Sequence, residues 1–360
     1  MNRTAPRPGT RRRRTALTVV AASLAAAALT ACGAAQADTT TKDGATVLRY
    51  QGSTGQVTFP ELAESLGYYE HVTLEWIGDV TGGPASIQAV ATGEADIGNA
   101  FNGAIVKLVD SGAPIKGVLA SYGSDELTHG GVYVLEDSPV RTARDLIGKK
   151  ISVNTLGAQA EAVDRSWLKQ EGLTPEEIAQ VELTVVPPVN AEQTLREGQV
   201  DAAGLSGPFQ DLALERGGLR KLFSEVDLFG YLSYGNFVLN TRLIESQPEV
   251  ARDFVQGTAR AIRWAQTNDA ETVKARYTQI IEGRGRGENT DLVEFYKSSS
   301  VAGAGGVVAD KEISLWIDWL VADGQIDAGI TTADVVTNEL NPYANGTYAP
   351  DAGPDGKPVD

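Results

Sequence analysis

Short apolar runs of strand length alternate with amphipathic runs of helix length along most of the chain. That alternation confines it to an α/β fold with mostly parallel sheets. "VLRYQ" (47–51) reads as a strand leading through "GSTG" into a helix at "FPELAESLG". "VTLEWIG" (72–78) leads through "VTGGP" into "ASIQAVATG", and "DIGNA", "AIVKLVDSG" and "IKGVLAS" continue the pattern. From Lys149 the plan restarts with "KKISVN", the helix "AQAEAVDRSWLKQEG", "VELTVVP", "AEQTLREG" and "VDAAGLS". One repeat keeps its spacing in both halves: Gln88-x4-Gly93-x2-Asp96 returns as Gln193-x4-Gly198-x2-Asp201. It predicts a helix ended by glycine and a buried strand opened by aspartate, at the same rank in each half. Two related lobes follow.

The lobes are not consecutive. Extended segments at 131–140 and 233–244 flank the second unit, and only helices follow the latter. A lobe entered by one strand and left by another is hinged at both, so the pair can close on something between them. The expected boundaries are 46–136 plus 236–345 for the first lobe and 137–235 for the second. Residues 346–360 are rich in Gly and Pro with little to bury, and are expected to be disordered.

Ahead of these lobes stand six arginines and then an uncharged run from Thr15 to Ala31 that is rich in alanine. That order is a secretory leader (1–31) rather than a membrane span, because the run is short and alanine drives insertion weakly. "RRRRTAL" suits either the general or the twin-arginine export route. The chain's only cysteine, Cys32, follows directly in "LTACG". This stretch resembles the lipobox of bacterial lipoproteins, which implies that Cys32 is the first mature residue and carries the lipid; two or more acyl chains hold a protein stably at a membrane. Residues 32–45 are small and polar, as a flexible tether is. With no second cysteine, the domain is held by its core and not by disulfides.

All six basic side chains of residues 1–31 leave with such a leader and no acid does, so the formal charge of −16 becomes −22. That disfavours nucleic acid and anionic lipid surfaces as partners. A hydrophobic content of 42% excludes a disordered chain.

"GEADIG", "SPVRTARDLIGKKISV", "EGQVDAAGLSGPF", "NTRLIESQPEVARDFV" and "TNELNPYA", with the lipobox, resemble the substrate-binding proteins of ABC importers. The branch they are most similar to binds aliphatic sulfonates, nitrate or taurine and includes binders of pyrimidine precursors. The resemblance implies a type II periplasmic-binding fold: two α/β lobes, two hinge crossings and a ligand cleft between. It further implies a monomeric protein without cofactor or metal, outside the membrane, which delivers a small solute to a permease and its ATPase.

Ligands of open α/β sheets bind beyond the carboxyl ends of strands, where helix N-termini offer free N–H groups. The loops there give the candidates. In the first half they are Gln51, Ser53, Thr54, Gly82, Gly83, Asn99, Phe101, Asn102 and Tyr122. In the second they are Asn154, Thr155, Gln159, Ser206 and Phe209. None of these loops holds Arg or Lys, which argues against an amino acid clamped by its carboxylate and against nitrate. A sulfonate or taurine-like solute held by amides and helix dipoles is one reading. A neutral heteroaromatic held by Asn and Gln between Phe101, Tyr122 and Phe209 is the other, and the acidic chain offers no steering toward an anion. Two loops depart from the family pattern: Ser206-Gly207-Pro208-Phe209 stands where a Trp-Asp-Pro-aromatic segment is common, and the loop after "DIG" lacks the usual acid.

An exported enzyme is the competing class. His71 and His129 have no second His or Cys to complete a metal or nucleophile set, and Asp125 and Glu126 read as a solvated loop. No P-loop, GxSxG or HExxH occurs. Catalysis is not expected.

Overall fold

The computed structural model describes residues 44–359. The expected leader, Cys32 and the tether as far as residue 43 lie outside the described residues. The strands are β1 (Thr46–Gly52), β2 (Val72–Asp79), β3 (Ile97–Phe101), β4 (Ile115–Gly123), β5 (Gly131–Leu135), β6 (Lys150–Val153), β7 (Glu182–Val185), β8 (Ala202–Leu205), β9 (Leu219–Ser224) and β10 (Ser233–Asn240). They form two five-stranded sheets, ordered β2-β1-β3-β10-β4 and β7-β6-β8-β5-β9. In both, the first three strands are parallel and the fourth runs antiparallel to both neighbours.

The repeated Gln-x4-Gly-x2-Asp has the same physical task in each lobe. Gly93 and Gly198 leave their helices with φ of +81° and +70°, a left-handed turn that a side chain resists. Asp96 then accepts from the Arg49 N–H of β1 at 2.8 Å, and Asp201 from the Lys150 N–H of β6 at 2.9 Å. The backbone N–H of each aspartate returns a bond to the carbonyl of the same residue, 2.9 Å in both cases. The motif locks the start of one parallel strand against its neighbour.

Burial follows the strand period of two. In the second lobe Val132, Val134 and Ala202 face a cluster with Ile151, Trp167 and Phe223. Tyr133, Ala203 and Leu205 face the opposite cluster with Val186 and Leu195. The first lobe has one larger core, into which helix Pro248–Thr267 places Ala251, Phe254, Val255, Ala259 and Ile262, at the three-and-four spacing of an apolar helix face.

Three expectations need correction. β5 pairs with β8 and β9, so it belongs to the second lobe and not the first. β10 pairs with β3 and β4, which places Ser233 to Gly235 in the first lobe. The chain therefore crosses between lobes at 124–130 and 230–232, ahead of the boundaries expected at 136 and 235. Residues 346–359 are packed, not loose: Arg263 donates to the carbonyl of Ala352 at 2.7 Å, Arg260 to that of Pro354 at 2.8 Å, and Tyr343 to that of Gly353 at 2.9 Å. Arginines on helix Pro248–Thr267 tie this Gly/Pro-rich segment to the first lobe.

The third correction concerns Asn102, expected at the cleft but fully buried. Its Nδ2 donates to the carbonyls of Ser233 (3.2 Å) and Glu312 (2.9 Å), and its Oδ1 accepts from Asn236. It pins the start of β10 to helix Lys311–Ala322. Asn102→Ala should cost about 2–3 kcal/mol, since it orphans buried partners. Denaturant unfolding would show that loss, with solute affinity of the folded protein unchanged.

Candidate ligand-binding cleft

The loops beyond β1, β3, β6 and β8 meet around a cavity of about 520 Å³ between the sheets. Of the candidates, Gly83, Phe101, Tyr122, Asn154, Thr155, Gln159, Ser206 and Phe209 line it. Gln51, Ser53, Thr54, Gly82, Asn99 and Asn102 are not on its wall. Thr54 turns to Asp79, bonding its carboxylate at 2.9 Å. Asn99 accepts from the Ser121 hydroxyl at 2.6 Å and holds β3 to β4. Gly82 abuts the second lobe, where a Cβ would stand 3.1 Å from the Thr155 hydroxyl.

Two aromatic contacts fix the walls. Phe101 packs edge-on to Trp316 at 4.6 Å between centroids, and Phe223 stacks on Trp167 at 4.0 Å. Each of these two cavity-lining rings is thus held by a tryptophan in its own lobe's interior.

The sequence reading missed a residue that holds the end of the first crossing. Glu225, 7% exposed, lines the cavity. Its Oε1 accepts from the Gly130 N–H at 2.8 Å, its own N–H donates to the Gly130 carbonyl at 3.3 Å, and Gln159 donates to its Oε2. Burial pushes the Glu225 carboxyl up to about 7, against the opposing pull of the Gly130 and Gln159 hydrogen bonds. Burial, and then the Glu225 charge, also raise the Tyr122 and Tyr234 hydroxyls. β9 is mixed in polarity ("LRKLFS") and does not stand out by periodicity, so the position just after it drew no notice.

A second wall was also missed. "DLVEFYKSSS" reads as a helix, but only Asp291–Phe295 is helical, as a 3-10 turn. Beyond it the chain runs extended along the cavity through Tyr296, Lys297 and Ser298 to Ser300. This strap is fixed at one end by a buried charge cluster. Glu61 accepts from Arg284 (2.9 Å) and Arg286 (3.2 Å), while Glu288 pairs with Arg284 and accepts from the Gly55 N–H at 2.9 Å. Toward its other end Lys297 bonds Asp211 of the second lobe at 2.6 Å, and the Ser298 and Thr128 hydroxyls meet at 2.7 Å. Ser300, at φ +52°, is the one non-glycine residue with positive φ among those described. Backbone strain of this kind persists only where surroundings hold it. The triple serine after Phe295-Tyr296 was the available sequence signal.

Four buried side-chain atoms on this wall have no hydrogen-bond partner in the protein: His129 Nδ1, Asp164 Oδ2, Gln210 Oε1 and Tyr296 OH. His129, which the sequence leaves without partners for a metal or nucleophile set, is on the cavity wall. Asp125 instead stabilises its own loop, accepting from the Leu127 (2.9 Å) and Thr128 (2.8 Å) N–H groups. Among the described residues, no group of three or more His, Cys, Asp and Glu is placed to hold a metal ion.

With this geometry in hand, the family model described as NMT1/THI5 like matches residues 56–272. The chain belongs to the NMT1/THI5-like family. A curated relative from Escherichia coli (strain K12), named for binding aliphatic sulfonates, is 26% identical over 160 residues, 44% of this chain. That alignment spans about half of the relative, 48% of its length. The crystal structure of the periplasmic aliphatic sulphonate binding protein from Escherichia coli superposes with a TM-score of 0.62 at 18% identity, covering 81% of this chain and 92% of that one. The desulfurization enzyme DSZB superposes at 0.55 and 14% identity, covering 82% and 97%. The fold of this family member is thus that of the periplasmic binding proteins, two α/β lobes with a cleft between, as expected.

The folded-state value of Glu225 lies above its ordinary value of 4.5, so the native protein holds that proton more tightly than the unfolded chain. The resulting stability is fully present below about pH 4.5 and is lost as pH rises through about 7. Wild-type stability relative to Glu225→Gln should therefore fall by about 3 kcal/mol across that window. Paired denaturant titrations at several pH values measure it, and a flat difference would contradict the burial described.

Proposed function

We propose that this chain is the extracytoplasmic solute-binding component of an ABC importer, anchored through lipid on Cys32 and acting as a monomer. It captures a small organic solute between its lobes and passes it to the permease. The single observation that carries this reading is the cavity itself: both lobes, the first crossing and the strap contribute to one wall. The family and the fold support it. No helix among the described residues is long and apolar enough to cross a membrane.

A solute-binding role is preferred to catalysis. No hydroxyl or thiol on the cavity wall is hydrogen-bonded to a base there, the pairing that nucleophilic catalysis needs. The desulfurization enzyme shows that the fold alone does not decide, so turnover must be assayed directly. Of the two solute classes, the wall favours a heteroaromatic over a simple sulfonate or taurine-like anion. Phe101, Tyr122, Phe209 and Tyr296 bring aromatic rings to the wall, and Lys297, the lysine on the wall, is already paired with Asp211.

Native mass spectrometry of freshly purified protein should find a retained organic solute, which deletion of the gene makes the cell unable to import; conversion of that solute to a product would establish an enzyme instead. Cys32→Ser should move the protein from the membrane to the soluble or secreted fraction. A variant as membrane-bound as the wild type would refute the anchor.

A further inference from the structure

We infer that the solute is an organic cation, a flat apolar body carrying N–H donors of amidinium or protonated-amine type, received by the carboxyls of Asp164 and Glu225. This rests on the solute-binding reading of the cleft and narrows it.

The argument is a charge and donor count on the wall. Its ionisable groups besides tyrosine are Asp164, Asp211, Glu225, His129 and Lys297. Lys297 and Asp211 neutralise each other at 2.6 Å. Asp164 and Glu225 remain, standing on separate helices, Gln159–Gln170 and Glu225–Phe229, with no cation from the protein on either. Glu225 has hydrogen bonds from Gly130 and Gln159 but no compensating charge. Asp164 is 2% exposed and its Oδ2 has no partner; Gln210 is 7% exposed and its Oε1 has none. Both orphaned atoms are acceptors once Asp164 is ionised.

A sulfonate is itself acceptor-only. Placed here it could take bonds from Tyr296 OH, His129 or a protonated carboxyl, but it would leave Gln210 Oε1 unsatisfied and bring none of the missing positive charge. A cation with N–H groups does the reverse: it donates to the orphaned oxygens and supplies the missing charge, and charge-assisted bonds of this kind are the strong ones. The aromatic rings of Phe101, Tyr122 and Phe209 on the wall suit its apolar body. Burial raises the carboxyls of both Asp164 and Glu225, so both lean toward the neutral form without a solute. A bound cation restores ionisation, and binding then expels protons into the solvent.

Three probes of one shape and different charge test this: benzamidinium, benzamide and benzenesulfonate, titrated calorimetrically in two buffers of unlike ionisation enthalpy. Benzamidinium should bind about tenfold or more tighter than benzamide, with benzenesulfonate weakest, and only benzamidinium should release protons. Asp164→Asn or Glu225→Gln should each reduce benzamidinium affinity about 10- to 100-fold and benzamide affinity by a clearly smaller factor. Should Asp164→Asn fail to fold, Glu225→Gln and the wild-type panel still decide. Tighter binding of benzenesulfonate than benzamidinium overturns the inference while leaving the solute-binding reading in place. Absence of benzamidinium binding overturns it too. The solute-binding reading falls with it only if the other probes also fail and native mass spectrometry finds no retained solute.

Discussion

The fourth strand of each sheet runs against its neighbours, and in each case it is the strand that arrives from the other sheet. β5 follows β4 across the first crossing, and β10 follows β9 across the second. Neither sheet is complete without chain that has just left its counterpart. The two crossings consequently lie side by side, and the loops beyond the parallel strands open into the space between the lobes. The cleft is a product of that exchange of strands.

Two links then set how the lobes meet. One is short and sits where the crossings touch: the Ser124 N–H donates to the Leu232 carbonyl at 3.0 Å and the Ser124 hydroxyl to the Gly230 carbonyl at 3.4 Å. The other is the strap, tied to the first lobe by the Glu61, Arg284 and Glu288 cluster and to the second by Lys297 and Asp211. Buried ion pairs repay little of their desolvation cost in stability. Here their demand for matched partners fixes the path of an irregular segment that has no ladder of its own.

The sequence made the sheets legible because their strands are short, apolar and followed by glycine-ended helices. The Asp96 and Asp201 repeat could be read for the same reason: each aspartate answers a backbone N–H on the neighbouring strand. Phe101, Gln159 and Ser206 were found because they stand directly beyond a recognisable strand. Glu225 was not, since β9 mixes Arg and Lys with Leu and Phe and shows no clean alternation. Asn102 carries the composition of a binding loop yet serves a buried junction, and no local pattern separates those two uses of an amide. Tyr296 to Ser300 reach the cleft through contacts with residues far away in the chain, which periodicity does not register. The tail was misjudged because its partners are the arginines of a distant helix.

The second lobe is one unbroken stretch from β5 through the helix Glu225–Phe229, whereas the first is split around it. This has a consequence for how the molecule is made. Chain emerging from its amino terminus can finish the second lobe from contacts close in sequence. The first must hold β3 and β4 without their shared neighbour until β10 arrives, and closing so long a loop is slow. For that interval two open strand edges face solvent, the kind of surface that pairs with other chains. The chain's single cysteine offers no internal disulfide to shorten the wait. The time from first synthesis to a closed first sheet is therefore when this protein most needs protection from its own copies.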